Sequence, residues 1–282
     1  MDGRLARYLG VVGLAGRGEH GARLVAGQFH DVVLAGEVAY RFPRDEESRR
    51  RLPATVTLLE ALSRRGLRVP VPVATSHIDA PLGRCHVALA RLPGGRLGAL
   101  ASRTEEDAVA GQLAELLDRL AVLGCDPAIQ PLLPRAADDY WPAFAGRVRR
   151  VLFPMMSGQG RLRAEAELAA VATVPGTGDA LVHADLGGAN LLWATAGGVA
   201  HLTGVLDWDG ASTGNQAHDL ASAAVTIGWP LAARIEDRRR VTARPLLAEA
   251  RVVAATFALQ QALPAALNGD RASLDDGLRK YR

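Results

Sequence analysis

Short apolar runs separated by polar residues fill the first ninety positions of the chain, a pattern that favours strands. The clearest runs are Leu24–Ala26, Val32–Leu34 and Val38–Phe42, and the pair Ala35-Gly36 predicts a turn between the last two. The stretches "VPVPVAT" and "CHVALARL" predict two more strands. The prolines of the first stretch favour the edge of a sheet, because proline has no N–H to donate.

One helix is predicted between these strands, in "LPATVTLLEALSRRG". Val56, Leu59 and Leu62 recur at helical spacing, Pro53 suits a first helical turn, and Gly66 suits the stop. The first ninety residues therefore predict a small, strand-rich segment that contains one helix.

Beyond "LPGGRL" the pattern becomes helical. Thr104 predicts the N-cap of a long amphipathic helix ending at Gly124, and more helices are predicted in "DDYWPAFAGRVRRVLFPMM", "RLRAEAELAAVATV" and "RVVAATFALQQALPAAL". The stretch from Leu181 to Asp207 returns to short strands and turns. The order predicts a bilobal α+β fold, with a β-rich N-lobe at 1–91 and a larger, mainly helical C-lobe at 92–282. A cleft between two lobes is a usual place for a ligand.

Composition excludes several classes of protein. Hydrophobic residues make up 49% and charged residues 22%, which is typical of a globular protein, and the longest apolar runs are too short for a membrane span. The start, "MDGRLARYLG", has no apolar signal-peptide core, and Cys85 and Cys125 form no CxxC pair. A cytoplasmic protein with no membrane partner is expected. The net charge of +3 comes from scattered basic residues and aromatics are only 5%, so no nucleic-acid partner is expected.

Lys280 is the only lysine in the chain. A GxxxxGK[ST] phosphate loop is therefore absent, and a Schiff-base enzyme is disfavoured because it needs a lysine in a pocket. Any phosphate contact from a long basic side chain must use arginine.

Polar residues interrupt an apolar stretch in "LVHADLGGANLLW", which contains His183, Asp185 and Asn190. Asp207 follows the apolar residues of "GVLDWDG", and Asp219 lies in "HDLASAA". Phosphoryl transfer needs a carboxylate that takes the proton of the attacking hydroxyl, and oxygen ligands that hold Mg²⁺. Asp185 would be the base, Asn190 and Asp207 the metal ligands, His183 a hydrogen-bonding support, and Asp219 an anchor of the loop. The alternative, a hairpin turn rich in Asp and Asn, explains the glycines but not Asp207.

With these motifs, the chain resembles the aminoglycoside phosphotransferase family, small-molecule kinases with a protein-kinase-like fold. The resemblance rests on "HADLGGANLLW" and "GVLDWDGASTGNQAHDLA" and extends from about Ala26 to the C-terminus. It implies Mg²⁺, ATP or GTP as donor, and transfer of the γ-phosphate to a hydroxyl. "GQFHDVVLAG", "LFPMMSGQGRLRAEAELAA" and the C-terminal tail look most like the phosphotransferases that inactivate tuberactinomycin antibiotics, viomycin and capreomycin. A small-molecule cationic antibiotic is the implied partner, and resistance the implied role.

The sequence departs from the family at one nucleotide-binding position. The family usually carries a lysine on the third strand of the small lobe, where this chain has Arg41. Arginine also binds phosphate, in a forked geometry, so Arg41 is expected to contact the nucleotide. Glu60 is its expected helical partner; the alternative is that Glu60 pairs with Arg64, four residues on.

Two further segments are expected to contact the nucleotide. The loop that contains Gly27, Gln28 and Phe29 occupies the place of the phosphate-covering loop, although a plain hairpin loop is an equal alternative. Backbone groups from Ala90 to Leu92 occupy the place where the family holds the purine base. Because the backbone makes this contact, the side chains do not distinguish ATP from GTP.

A cationic substrate of a protein with net charge +3 requires a local acidic patch. Asp209 is the first candidate for a substrate contact. The pairs Asp138-Asp139 and Glu236-Asp237 are further candidates, but for both of them a solvated helix face is the favoured interpretation.

Other functions share part of these features. A kinase of an aminoglycoside, a macrolide, or an amino-alcohol or sugar metabolite would use the same catalytic residues. A nucleotide-binding pseudokinase is suggested only by Arg41. A metallohydrolase would need a site built from several histidines and aspartates, but the chain has no HExxH-like helical pair. Its candidate ligands are His183, Asp185, His201, Asp207 and His218.

Overall fold

The computed structural model describes residues 3–14, 21–27, 29–73, 76–100, 102–135, 137, 139–241 and 245–282. The strands are β1 (Arg23–Ala26), β2 (His30–Ala35), β3 (Val38–Pro43), β4 (Val87–Ala90), β5 (Ala180–Val182), β6 (Leu191–Ala196), β7 (Val199–Val205) and β8 (Ser212–Gly214). The helices are α1 (Gly3–Val11), α2 (Glu46–Arg64), α3 (Arg103–Gly124), α4 (Tyr140–Val151), α5 (Gly158–Val171), α6 (Ala217–Ile227), α7 (Trp229–Arg238), α8 (Leu247–Ala255), α9 (Phe257–Asn268) and α10 (Arg271–Leu278).

The chain forms two compact units. Unit 1 contains residues 1–99 and 189–209, and unit 2 contains residues 100–188 and 210–282. Unit 1 is rich in strands and unit 2 in helices, so the predicted α+β class is confirmed. The predicted lobe boundary after residue 91 stays a prediction; unit 1 includes, in addition, 92–99 and the hairpin of β6 and β7.

Unit 1 is built on an antiparallel sheet in the order β1-β2-β3-β4, and β6 pairs with β7 in a separate hairpin. The three predicted N-terminal strands are confirmed, and the turn after β2 has Gly36 at a φ of 56°. α1 packs Tyr8 and Leu9 against Phe42 of this sheet, with the rings of Tyr8 and Phe42 stacked at 4.1 Å between centroids. Burial of these apolar side chains stabilises the sheet that carries Arg41.

The helix α2 begins seven residues before Pro53, so the prediction that this proline occupies the first turn is wrong. Asp45 caps the helix by accepting the N–H of Ser48 at 2.7 Å. Glu46 and Glu47 lie in the first turn, where their negative charges interact favourably with the helix dipole. Gly66, at a φ of 77°, lies just beyond the helix end as predicted.

Two other local predictions need correction. "VPVPVAT" forms only an isolated bridge, from Pro72 to Leu89, because prolines remove ladder donors; its last two residues lie outside the described ranges. The helix α3 begins at Arg103 and is capped by Ser102, which accepts the N–H of Glu105, rather than by Thr104.

Unit 2 packs α3 against the short strand β5 and against α7, and β5 pairs with β8. The predicted helix in "RVVAATFALQQALPAAL" is observed as α8 and α9, interrupted at Thr256. Across the described ranges, every helix is too short or too polar to cross a membrane. The stretch quoted above, from His183 onward, leaves β5 and crosses from unit 2 into unit 1 at residue 189.

Candidate active site

In unit 2, the carboxylate of Asp219 holds the turn that follows β5. Its two oxygens accept the backbone N–H groups of His183 and Ala184, both at 2.9 Å. Ala184 has a φ of 70°, a left-handed conformation that is uncommon for a residue with a side chain. Because Asp219 is fully buried and lies in the first turn of α6, it fixes this turn from a rigid element. Burial raises the pKa of Asp219 to about 7, while the two N–H donors act in the opposite direction.

His183 is fully buried, and its Nδ1 atom accepts the backbone N–H of Asp185 at 3.2 Å. Asp185 itself is exposed. The imidazole therefore shapes the backbone of the loop, whereas the carboxylate of Asp185 is open to solvent. The predicted roles of His183 as a support and of Asp185 as the base stay predictions.

Asn190 and Asp207 lie at the same end of the hairpin in unit 1. Asn190 directly precedes β6, Asp207 follows β7 by one residue, and the two strands are antiparallel with Leu191 opposite Val205. The carbonyl of Asn190 accepts the N–H of Leu206 at 2.8 Å, which fixes the two chain segments to each other. The two residues thus lie at the same end of the hairpin, and their role as metal ligands stays a prediction. Asp207 has a φ of 60° and a half-exposed side chain.

Arg41 lies in β3 and points to two aspartates of unit 1. Its Nη2 atom is 2.7 Å from Oδ2 of Asp209 and 3.1 Å from Oδ1 of Asp207, while Nη1 is 3.4 Å from Oδ1 of Asp209. The Thr55 hydroxyl donates to the same Asp209 carboxylate at 3.1 Å. Burial favours a higher pKa for Asp209, but Arg41, together with His30 and Thr55, holds that pKa below its usual value.

Glu60 is placed differently from the expected partner of Arg41. It is exposed on α2, 3.9 Å from Arg64, which is the alternative pairing considered for it. The acidic partners of Arg41 in the described residues are Asp209 and Asp207 instead. The Glu60–Arg64 pair, which is long and exposed, contributes little to stability.

Gly27 closes the tight loop between β1 and β2. Its N–H donates to the carbonyl of His30 at 2.9 Å, and a Cβ at this position would lie 2.5 Å from the same oxygen. No side chain larger than glycine's fits without opening the loop. Phe29 is exposed, and Gln28 lies outside the described residues.

The segment predicted to contact the purine base, from Ala90 to Leu92, begins at the last residue of β4. Ala90 is the last residue of this strand and donates its N–H to Val71, and Leu92 packs its side chain over Gly204 of β7. Gly95 exchanges two backbone hydrogen bonds with Trp193, so the segment is tied to the β6–β7 hairpin inside unit 1.

Two residues near Arg41 were not predicted from the sequence. Thr55 contacts Asp209 across 154 residues, and the His30 Nδ1 atom lies 3.1 Å from Arg41 Nη2. His30 is buried, and burial lowers its pKa, with Arg41 acting in the same direction. No short-range signal distinguishes Thr55 from the other polar residues of α2.

Comparison with solved structures defines the fold of the chain. It superposes on the GDP complex of an aminoglycoside 2'-phosphotransferase with a TM-score of 0.76 and 19% identity, covering 92% of this chain and 90% of that chain. A macrolide 2'-phosphotransferase from Brachybacterium faecium gives a TM-score of 0.71 and 21% identity, with coverages of 97% and 98%. The fold is that of the antibiotic phosphotransferases.

Sequence comparison then gives the family. The sequence model of the phosphotransferase enzyme family matches residues 23–267. Viomycin phosphotransferase from Streptomyces vinaceus is 39% identical over 260 residues, which covers 91% of each chain. The chain belongs to this phosphotransferase family and is a small-molecule phosphotransferase. The resemblance found from the two motifs is confirmed.

Proposed function

We propose that this chain transfers the γ-phosphoryl group of ATP or GTP to a hydroxyl of a tuberactinomycin peptide antibiotic such as viomycin or capreomycin, and so confers resistance. The observation that carries the proposal is the 39% identity to viomycin phosphotransferase over 91% of both chains. The aminoglycoside and macrolide enzymes share the fold at 19% and 21% identity, which supports the chemistry but not a particular acceptor.

Asp185 is proposed as the base. Its carboxylate is exposed, its backbone is held by His183, and the turn before it is held by Asp219. A base held in this way takes the proton of the acceptor hydroxyl as the oxygen attacks phosphorus. His183 and Asp219 then act by positioning.

Asn190 and Asp207 fit a magnesium ion. Their hard oxygen donors lie at one end of a hairpin, and Mg²⁺ binds through one or two protein oxygens and completes its ligands with phosphates and water. The ion, when bound, neutralises charge on the donor phosphates. The guanidinium of Arg41 is proposed to bind the same phosphates. It would then give up its contact with Asp207 and keep its contact with Asp209. The observed partners of Asp209 favour this supporting role, and its substrate contact stays a prediction.

The test is phosphorylation of the antibiotic itself. The purified chain is incubated with Mg²⁺, ATP or GTP, and viomycin or capreomycin, and the antibiotic is analysed by mass spectrometry. A mass gain of one phosphoryl group is expected, and it should be lost in Asp185→Asn, which preserves the size of the side chain. Wild-type turnover of an aminoglycoside or a metabolite, with none of the two peptides, overturns the acceptor but keeps the chemistry. Nucleotide binding without any transfer identifies a pseudokinase.

A further inference from the structure

A cavity of about 190 Å³ lies entirely within unit 2. Its wall includes Tyr140 at the start of α4, Ser212 of β8, Ala184 after β5, and His218 of α6. None of these residues belongs to the nucleotide-binding or metal-binding sets proposed above. The cavity is therefore a separate candidate for binding a molecule.

The size of the cavity limits what enters it. Pockets that bind drug-sized ligands have volumes of roughly 300–1,000 Å³, whereas a cavity of about 150 Å³ holds a benzene molecule. At about 190 Å³, this cavity is too small for a whole peptide antibiotic and has room for one ring or one side chain of it.

The cavity lies beside the catalytic loop. Ala184, in its wall, directly precedes Asp185 and is held in its left-handed conformation by Asp219. Asp219 and the wall residue His218 are neighbours in the first turn of α6. The first turn of α6 thus places the Asp219 side chain against the loop and the His218 side chain in the wall of the cavity. A group bound here is a direct neighbour of the loop that carries the proposed base.

The wall of the cavity offers no counter-charge. Of the described residues that line it, none is an aspartate, glutamate, lysine or arginine, and most are apolar or aromatic. Glu249 accepts a hydrogen bond from the wall residue Asn215 at 2.7 Å but does not itself line the cavity. An ammonium or guanidinium group would lose its hydration here without gaining a carboxylate, which is costly.

Burial favours the neutral imidazole of His218, and the hydrogen bonds around it fix the tautomer. Thr256 donates its hydroxyl to the carbonyl of Val253, so its oxygen accepts from Nε2 of Gln260 at 2.8 Å. This orients the Oε1 atom of Gln260 toward Nε2 of His218, at 3.3 Å, and places the ring proton on that nitrogen. Nδ1 is buried without a partner in the described part of the chain, and burial lowers the pKa of His218.

We propose that this cavity is an acceptor subsite of the antibiotic phosphotransferase proposed above, and that it takes an uncharged ring or side chain of the antibiotic next to the phosphorylated hydroxyl. The cationic groups of the antibiotic remain outside it. The subsite selects an acceptor by the neutral group that adjoins the reacting hydroxyl.

Occupancy is tested by filling the cavity at Ser212, which is half-buried in β8. Ser212→Leu is expected to raise the KM for viomycin at least tenfold with the KM for ATP unchanged. The control Ala272→Leu, at an exposed position of α10 outside the cavity, is expected to leave both KM values within twofold of wild type. An unchanged viomycin KM in a folded Ser212→Leu protein overturns the proposal. If Ser212→Leu does not fold, the KM for viomycin is measured in Tyr140→Ala, which removes one wall of the cavity. The KM is again expected to rise, and an unchanged KM again overturns the proposal.

The charge of the bound group is tested with Ser212→Asp and Ser212→Asn, which are equal in size. Viomycin is expected to bind the Asp variant no more tightly than the Asn variant by calorimetry. Asn268→Asp, at the exposed end of α9, measures the effect of net charge alone and is subtracted. Tenfold tighter binding to Ser212→Asp after this correction means that a cation enters the cavity, and it overturns the proposal.

The failure of the subsite is distinguishable from the failure of the proposed function. If wild-type protein phosphorylates another acceptor from a panel but neither peptide, the same variants are measured on that acceptor. If wild-type protein phosphorylates nothing, both proposals fall. If it phosphorylates viomycin and the filled variant does so with an unchanged KM, only the subsite falls.

Discussion

The Nη2 atom of Arg41 lies 2.7 Å from Oδ2 of Asp209, although 168 residues separate them along the chain. The pair is mostly buried, with 12% and 21% of the two side chains exposed. A buried carboxylate that loses its cation is costly, whereas a surface pair contributes little. Arg41, which is predicted to contact the nucleotide, is therefore also expected to stabilise unit 1 through Asp209.

Arg41→Ala is predicted to lower the free energy of unfolding by about 2–3 kcal/mol, because among the described residues Asp209 then keeps Thr55 and His30 as its partners and has lost its permanent cation. Arg41→Lys keeps the charge but loses the fork and is predicted to cost about 1 kcal/mol. Urea unfolding measures both. Arg64→Ala, at the exposed pair with Glu60, is the control and is expected to cost less than about 0.5 kcal/mol. If Arg41→Ala and Arg64→Ala lower the free energy of unfolding equally, the buried Arg41–Asp209 pair contributes no more to stability than an exposed pair.

Asp219→Asn is predicted to lower kcat about a hundredfold and leave the KM for ATP unchanged. The amide accepts one N–H instead of two, so the turn at Ala184 relaxes, and a displacement of about 1 Å at a catalytic group costs about that factor. Steady-state kinetics separates the two constants. A kcat within twofold of wild type would rule out the positioning role.

The same substitution has a predicted pH dependence. The pKa of Asp219 is raised by burial from 3.8 to about 7 in the folded chain. The folded state therefore binds more protons than the unfolded state between these values, and its stability contribution is full below about 3.8 and lost as the pH rises through about 7. The stability of wild type relative to Asp219→Asn is therefore expected to fall between about pH 4 and pH 7 in urea unfolding. A difference that is constant or rises with pH would contradict the raised pKa.

Gly27→Ala is predicted to raise the KM for ATP several-fold and to destabilise the protein by about 1–3 kcal/mol. The added methyl group meets the backbone oxygen of His30 at 2.5 Å, so the loop between β1 and β2 must open. Gly98→Ala is the matched control, because nothing lies within 4 Å of a Cβ at that position. If both variants bind ATP as wild type does, the loop does not contact the nucleotide.

The sequence predicts the fold where local patterns decide it. The strands from Leu24 to Phe42 and the helix that ends at Gly124 follow from apolar spacing and a terminal glycine. The start of α2 was predicted too late because Pro53 suggested a first turn, whereas Asp45 supplies the cap seven residues earlier than expected. Local signals locate elements well and choose poorly between competing caps.

The candidate site divides in the same way. The set of Asp185, Asn190 and Asp207 follows from residue types and spacing along the chain. The contacts of Arg41 with Asp209 and of Thr55 with Asp209 join residues that are far apart in sequence, so no spacing rule indicates them. The cavity of unit 2 is likewise assembled from separate helices and strands, and its lack of charge becomes visible only in three dimensions.

The hairpin of β6 and β7 belongs to unit 1, although about ninety residues of unit 2 precede it in the chain. A ribosome that has released the first 99 residues has therefore not yet made the hairpin, to which Gly95 is tied through Trp193, or the two aspartates that receive Arg41. Domains with a continuous N-terminal segment fold during synthesis. Unit 1 cannot be completed until residue 209 has been made, so the guanidinium of Arg41 has neither aspartate partner until more than a hundred residues have been added to the first 99.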